Sequence, residues 1–225
     1  MNFSKPIPLF PLDQVLMLPQ QIAPLHIFEN RYKQMVGRAL DGAGQIAIAK
    51  LGGGDSAFDA FPSVKPAVCV GQIVQHETLP DGRYNIYLQG VCRARIVSEN
   101  EPNEDRLYRE AILEPVGTED EPSVYADVLR DWLLEKLDEG ELSRLTSADE
   151  ILKLVANDGI PSPVLVEIIS FAMVNDDESR YALLAEGNLD RRTEIVRESL
   201  EALVSLIRKA IKQKPGEWPK GTSWN

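Results

Sequence analysis

Ile7-Pro8-Leu9-Phe10-Pro11-Leu12, followed at a short interval by Pro24-Leu25-His26-Ile27-Phe28-Glu29-Asn30-Arg31-Tyr32, decides how this chain is read. Pro6, Pro8 and Pro11 remove backbone donors and exclude a helix. The first run is therefore a strand, expected at a sheet edge or a barrel rim. The second run reads as a strand that turns directly into a helix. Asn30 is suited to cap that helix from Arg31 to Leu40, where Tyr32, Met35, Val36, Ala39 and Leu40 recur on one helical face.

Working outward, Ala67 to Ile73 reads as a further strand, and Pro80-Asp81-Gly82 as a hairpin turn, since proline presets one backbone angle and glycine accepts a positive one. After the turn, Tyr84, Ile86 and Leu88 alternate with Arg83, Asn85 and Tyr87, the period of a half-buried strand. Gly90 permits a bend or bulge before Val91 to Ile96 continue the sheet. Near residue 118 the apolar spacing becomes helical. Val124, Val128, Leu129, Trp132 and Leu133 form one stripe, and Ser147 with Glu150 has the spacing of a capping box. Ser162-Pro163 reads as a cap and first-turn proline for a helix with Leu165, Ile168, Ile169 and Ala172 inward. Gly187 ends a short helix through Tyr181 and Leu184. A long helix is expected from about Asp190 to Lys212, with Arg208, Lys209 and Lys212 complementing the dipole of its last turn.

These stretches together resemble the N-terminal, substrate-binding domain of the Lon protease family, over most of residues 5 to 210. The two opening runs, Ala67 to Ile73 and the hairpin Leu79 to Gly90 carry the likeness in the β-rich part. Tyr181 to Glu186, followed by Leu189-Asp190-Arg191-Arg192, carries it among the helices. The chain departs from the family pattern at Asn30, where proline is usual, and at Met173-Val174-Asn175, where a leucine-proline step is usual. The resemblance implies an α+β fold, a PUA-like β pseudo-barrel followed by a helical bundle. The expected division is a β-rich subdomain over 1–118, a helical subdomain over 119–212 and an extended tail over 213–225.

A complete Lon protease adds a nucleotide-driven unfoldase and a serine-lysine peptidase, and neither is expected within these 225 residues. The sequence contains no G-x-x-x-x-G-K-[ST] phosphate loop, since the run Gly52-Gly53-Gly54 leads into Asp55-Ser56 without a lysine. It also contains no G-x-S-x-G elbow and no H-E-x-x-H helix. The expectation is a non-catalytic protein without cofactor or metal. Its two histidines, His26 and His76, stand far apart in sequence with no cysteine near either.

Hydrophobic residues at 44% and charged residues at 26% fit a globular chain that buries a core. No apolar run suggests a membrane span or a secretory leader, and a cytoplasmic location is expected. Cys69 and Cys92 form no C-x-x-C and read as buried thiols of a reducing compartment. The net charge of -11 is unevenly placed: residues 1 to 97 hold 9 Lys+Arg and 7 Asp+Glu, leaving 15 and 28 downstream. Arg93 and Arg95 share one face of a strand as a thin basic pair, the feature on which an RNA-binding alternative rests.

The function implied by the resemblance is binding of unfolded or exposed apolar polypeptide, as an adaptor or regulator of proteolysis. Apolar grooves at the barrel face and at the barrel-bundle junction are the expected contact surfaces. Phe58 and Phe61, on the long connection from about Lys50 to Lys65, and Tyr87, on the outward strand face, are the candidate residues. Glu29 and Arg31 read as a local ion pair at the strand-helix turn. The tail from Lys214 to Asn225 holds two of three tryptophans, and Trp218 is expected to dock on a groove of the same or a neighbouring molecule. Homo-oligomerisation stays open.

Overall fold

A computed structural model describes residues 3–13, 15–53, 62–117 and 123–213. Phe58, Phe61, Trp218 and the tail beyond Gln213 lie outside the described residues. The elements run β1 (Ile7–Leu12), β2 (Ile22–Ile27), α1 (Asn30–Asp41), β3 (Gln45–Leu51), β4 (Val64–Thr78), β5 (Tyr84–Asn100), β6 (Arg109–Pro115), then α2 (Val124–Asp138), a 3-10 turn (Glu141–Arg144), α3 (Ala148–Val155), α4 (Ser162–Met173), α5 (Asp177–Ala185) and α6 (Leu189–Gln213). Apart from α1, strands come first and helices second, with the change between Pro115 and Val124.

The sheet order is β2-β5-β4-β3-β1-β6, and a further β5–β6 pairing closes five strands into a barrel that leaves β2 attached outside. β5 makes this possible by its length. Its first half, Tyr84 to Gln89, pairs with β2, and its second half, Ala94 to Asn100, pairs with β6. The expected hairpin is present: Gly82, at φ +77, donates to the Leu79 carbonyl at 2.9 Å, and Leu79 donates to Arg83 at 2.8 Å. The expected bulge is present too, where the β4–β5 register shifts between Val70/Cys92 and Gly71/Gly90. A Cβ on Gly90 would meet the Leu18 carbonyl oxygen at 2.3 Å, so glycine lets the turn before β2 lie directly on β5. Gly90 and Gln21 seal that approach with a backbone hydrogen bond of 2.8 Å.

β1 does not lie at an edge. It stands between β3 and β6, but its two neighbours are staggered: β6 pairs with Ile7 to Leu9 and β3 with Leu9 to Leu12. Pro8 and Pro11 therefore each face one partner strand only, and the missing donor falls on the unpaired side of a strand that is interior overall. β3 is buried on both faces, with Ala47 and Ala49 inside the barrel among Leu9, Val68, Val70 and Ala111. Ile46 and Ile48 point outward into a second cluster, which runs through Met35 and Val36 of α1 and through the bundle to Leu200.

Several expected helix details are corrected. α1 begins at Asn30 with Glu29 as its N-cap residue, so Asn30 is the first helical residue and caps nothing. The Glu29 carboxylate instead pairs with Arg31 at 2.8 Å, as expected. Ser147 occupies the N-cap position of α3 but makes no side-chain cap bond. Ser162 is the first residue of α4, its hydroxyl turned to Asp127 at 2.5 Å rather than to its own helix. In α2 the buried face is Ala126, Leu129, Leu133 and Leu137, while Val124 and Val128 are exposed. In α4 Ala172 is exposed, and Val166, Glu167 and Ser170 are buried beside Leu165 and Ile169.

Candidate functional site

Among the described residues β2 is the terminal strand of the sheet and bonds to β5 alone. Its sequence, Ile22-Ala23-Pro24-Leu25-His26-Ile27, contains no charged residue. Charges and prolines are the usual protection of an exposed edge, and here a single proline, Pro24, supplies it. Ala23 and Ile27 turn into the core, whereas Ile22, Pro24, His26 and the following Phe28 are exposed, Ile22 at 55% and Phe28 at 62%. On β5 the same outward face carries Asn85 and Tyr87, and Tyr87 is opposite Pro24. Tyr87 thus stands where the alternation of its strand places it, 44% exposed.

Polar groups order this face. The His26 ring lies 2.7 Å from the Asn85 side-chain oxygen through Nδ1 and 3.3 Å from Arg83 through Nε2. Asn85 in turn donates to Glu77 at 3.0 Å. Two concavities flank the strand. One, of about 390 Å³, is on the outward face and is lined by Pro24, His26, Gln75, Glu77 and Tyr87. The other, of about 450 Å³, is at the junction with the bundle, lined by Leu16, Ile22, Ala23, Asn175, Asp177 and Arg180. They share Pro24 and Leu25.

The junction is held by α5. Arg180 donates to the Leu16 carbonyl at 3.0 Å, and the Ala67 amide donates to the Tyr181 hydroxyl at 3.0 Å. Lys50 reaches Asp177 at 2.8 Å, and that hydrogen bond holds the Asp177 carboxyl below the usual carboxylate range. Lys65 lies over the Tyr181 ring, 4.3 Å from its centroid. Behind α5, Arg93 of β5 meets Glu167 of α4 through two hydrogen bonds of 3.0 and 2.7 Å and donates to the Leu183 carbonyl at 2.8 Å. Arg192 of α6 sits 3.1 Å from the same carboxylate and donates to the Gly187 carbonyl at 2.8 Å. All three side chains are buried, exposed by 6% or less.

Arg93 is therefore not half of a basic surface pair. It is a buried tie between barrel and bundle, and Arg95 on the surface is paired with Glu114 at 2.7 Å. The two cysteines lie on neighbouring strands, but Cys69 is opposite Arg93 while Cys92 is opposite Val70. They point to opposite faces and are not bonded to each other. Burial pushes both thiols up, Cys69 far above the usual range. Among the described residues no three of His, Cys, Asp and Glu form a group that could hold a metal, and no helix is long and apolar enough to cross a membrane.

Of the four candidate residues, only Tyr87 is among the described residues. Ile22, Phe28, Glu167 and Arg192 were not singled out from sequence. Ile22 and Phe28 alternate with residues that are equally apolar, so periodicity alone does not separate the two faces of β2.

A closed five-stranded barrel with an outer edge strand, continued by a helical bundle, defines a PUA-like barrel with a helical extension. The chain belongs to the ATP-dependent protease La (LON) substrate-binding domain family, whose sequence profile matches residues 6–202. It is 23% identical to a Lon protease of Campylobacter concisus over 217 residues, which is 95% of this chain and 26% of that protein. It is 24% identical to one of Helicobacter pylori over 218 residues, 95% of this chain and 25% of that protein. The chain thus spans about a quarter of the length of these curated relatives. In fold it is similar to the N-terminal domain of a Mycobacterium avium complex Lon protease, with a TM-score of 0.63, 19% identity, and coverage of 87% of this chain and 97% of that one. It is likewise similar to a Lon N-terminal domain protein from Xanthomonas campestris, with a TM-score of 0.59, 19% identity, and coverage of 89% and 98%.

Proposed function

We propose that this chain binds exposed apolar stretches of unfolded polypeptide at the surface around β2, without cleaving them, and serves as an adaptor or regulator of proteolysis. The observation that carries the reading is the uncharged edge strand with Ile22 and Phe28 in solvent beside Tyr87 and a concavity on either side. Contiguous apolar side chains of this size, set among a few ordered polar groups, suit the capture of apolar side chains. Membership of a family described by substrate binding supports polypeptide as the ligand.

Fluorescence anisotropy with reduced, alkylated lactalbumin as the probe, against the native disulfide-bonded form, tests the reading. The unfolded form is expected to bind and to stay intact on a gel. Ile22→Ser with Tyr87→Ser is expected to weaken binding by about tenfold or more, as partial loss of two large apolar contacts implies. Equal binding of both forms overturns the reading. So does tight RNA binding that weakens steeply with salt by counterion release.

A further inference from the structure

We propose that the free edge of β2 takes up an extended polypeptide segment as an additional strand, so that recognition is made through the backbone. This rests on the polypeptide-binding reading and specifies how the segment is held. The ladder parity provides the first argument. Gly90 donates to the Gln21 carbonyl at 2.8 Å, and the register then continues as Ala23 with Leu88, Leu25 with Ile86 and Ile27 with Tyr84. In an antiparallel pair alternate residues turn both backbone groups to the partner, so Ala23, Leu25 and Ile27 face β5, as does the Gln21 carbonyl. The backbone groups of Ile22, Pro24 and His26 consequently face away from the sheet. Pro24 brings only a carbonyl to that side, which explains why proline is tolerated there, while Ile22 and His26 each bring an N–H and a carbonyl.

The two concavities provide the second argument. Side chains of an added strand project alternately to the two faces of the sheet. The concavity at Arg180 and Asn175 opens beside β2 on the bundle side, while the one at Tyr87 spreads over β2, β5 and β4 on the outward face, with Pro24 and Leu25 lining both. A strand laid along β2 would send alternate side chains toward the bundle-side concavity and the others toward the rim of the outward one at Pro24 and His26. β2 is six residues long, about 20 Å at the usual rise, so a short segment spans it. Exposed acids stand near both concavities, Glu77 of β4 at the far wall of the first and Asp177 beside Arg180 in the second, the latter acid 74% exposed despite its lysine. The occupant that fits is an extended, proline-free apolar segment with basic flanks. Backbone pairing gives affinity with little sequence demand, and the two concavities select for size.

The test uses the full chain and a fluorescent octapeptide of alternating valine and leucine with a lysine at each end. Two variants of the peptide carry N-methyl groups on alternate residues, one in each register. Binding of one methylated register is expected to fall by about tenfold or more while the other stays near the parent, since only one set of amides faces β2. His26→Pro, which removes an edge N–H and leaves the β5 ladder intact, is expected to weaken binding about tenfold, while His26→Ala, which loses the same ring but keeps the N–H, is expected to have a clearly smaller effect. The methylated peptides leave the protein untouched and decide the matter even where His26→Pro unfolds. Equal binding of all three peptides, or equal effects of the two His26 variants, overturns strand addition in favour of side-chain capture. A dimer that His26→Pro dissociates, with peptide binding unchanged, overturns it in favour of edge pairing between two copies. Failure of the wild-type chain to bind the parent peptide while it binds unfolded lactalbumin also overturns strand addition, whereas failure to bind either probe overturns the polypeptide reading itself.

Discussion

Glu167→Gln should be among the most destabilising single substitutions in this chain. Glu167 is the shared carboxylate of Arg93 and Arg192, at 2.7 and 3.1 Å, in a site where all three side chains are at most 6% exposed. The glutamine keeps the shape but removes the negative charge, leaving two guanidinium groups buried together with an amide whose N–H faces one of them. Breaking a buried ion pair from one side costs about 3–5 kcal/mol, because the remaining charge is uncompensated. For a chain of this size that corresponds to a fall in melting temperature of roughly 6–20 °C, at about 2–4 °C per kcal/mol. Urea unfolding followed by far-ultraviolet circular dichroism would read it as a lower midpoint with an unchanged slope. Replacing all three together, Arg93→Met, Glu167→Leu and Arg192→Met, should recover much of the loss, since apolar groups of similar volume carry no buried charge. Recovery should stop short of wild type, because the carbonyls of Leu183 and Gly187 lose their donors at about 1–3 kcal/mol each. A Glu167→Gln variant within about 1 kcal/mol of wild type would refute the reasoning, as would a triple variant less stable than the single one.

Two glycines with the same backbone sign should respond differently to alanine. Gly82→Ala meets nothing within 4 Å and should cost only the left-handed penalty of about 1–2 kcal/mol, whereas Gly117→Ala adds a contact of 2.4 Å with the Gly187 carbonyl oxygen and should cost clearly more by urea midpoint. The Cys69 thiol, pushed up by burial, should be unreactive to a thiol reagent in the folded protein and reactive in urea. The sign of its linkage follows: the unfolded thiol ionises above about pH 8.5 and the folded one does not, so its contribution is complete below that pH and lost above it. Cys69→Ala should therefore flatten the alkaline fall in stability, and an unchanged alkaline limb would contradict the assignment.

The hairpin, the alternation of β5 and the buried face of α1 were legible because each is set by residues close in sequence. Proline and glycine fix the turn at 80–82, and Tyr32, Met35, Val36 and Ala39 can share a face in only one way. What was not legible depends on partners distant in sequence. In α2 the stripes Val124-Val128-Trp132 and Ala126-Leu129-Leu133-Leu137 both satisfy the helical period, and packing against the other helices selects the second. The strand pattern assigned Arg93 to a face, but not to the particular helix covering that face. Its carboxylate is 74 residues downstream. The prolines of β1 identified the donors that are missing, but not that β3 and β6 overlap only at Leu9.

That overlap explains why the exposed edge lies at β2. A strand with two prolines can be interior only if neither neighbour runs its full length, so β1 is shared between β3 and β6 and the barrel closes with β6 returning to β5. β6 has seven residues and β5 has seventeen. Closure therefore consumes the second half of β5 and leaves Tyr84 to Gln89 without a partner on that side. β2 supplies the partner, and in doing so transfers the open edge to its own outer side, where an uncharged sequence and a single proline leave it accessible. The bulge at Gly90 separates the two halves of β5, and the turn at Leu18 to Gln21 rests directly on that glycine. Adding a side chain at Gly90 should thus disturb β2 before it disturbs the barrel, and the surface around β2 depends on one backbone contact that only glycine permits.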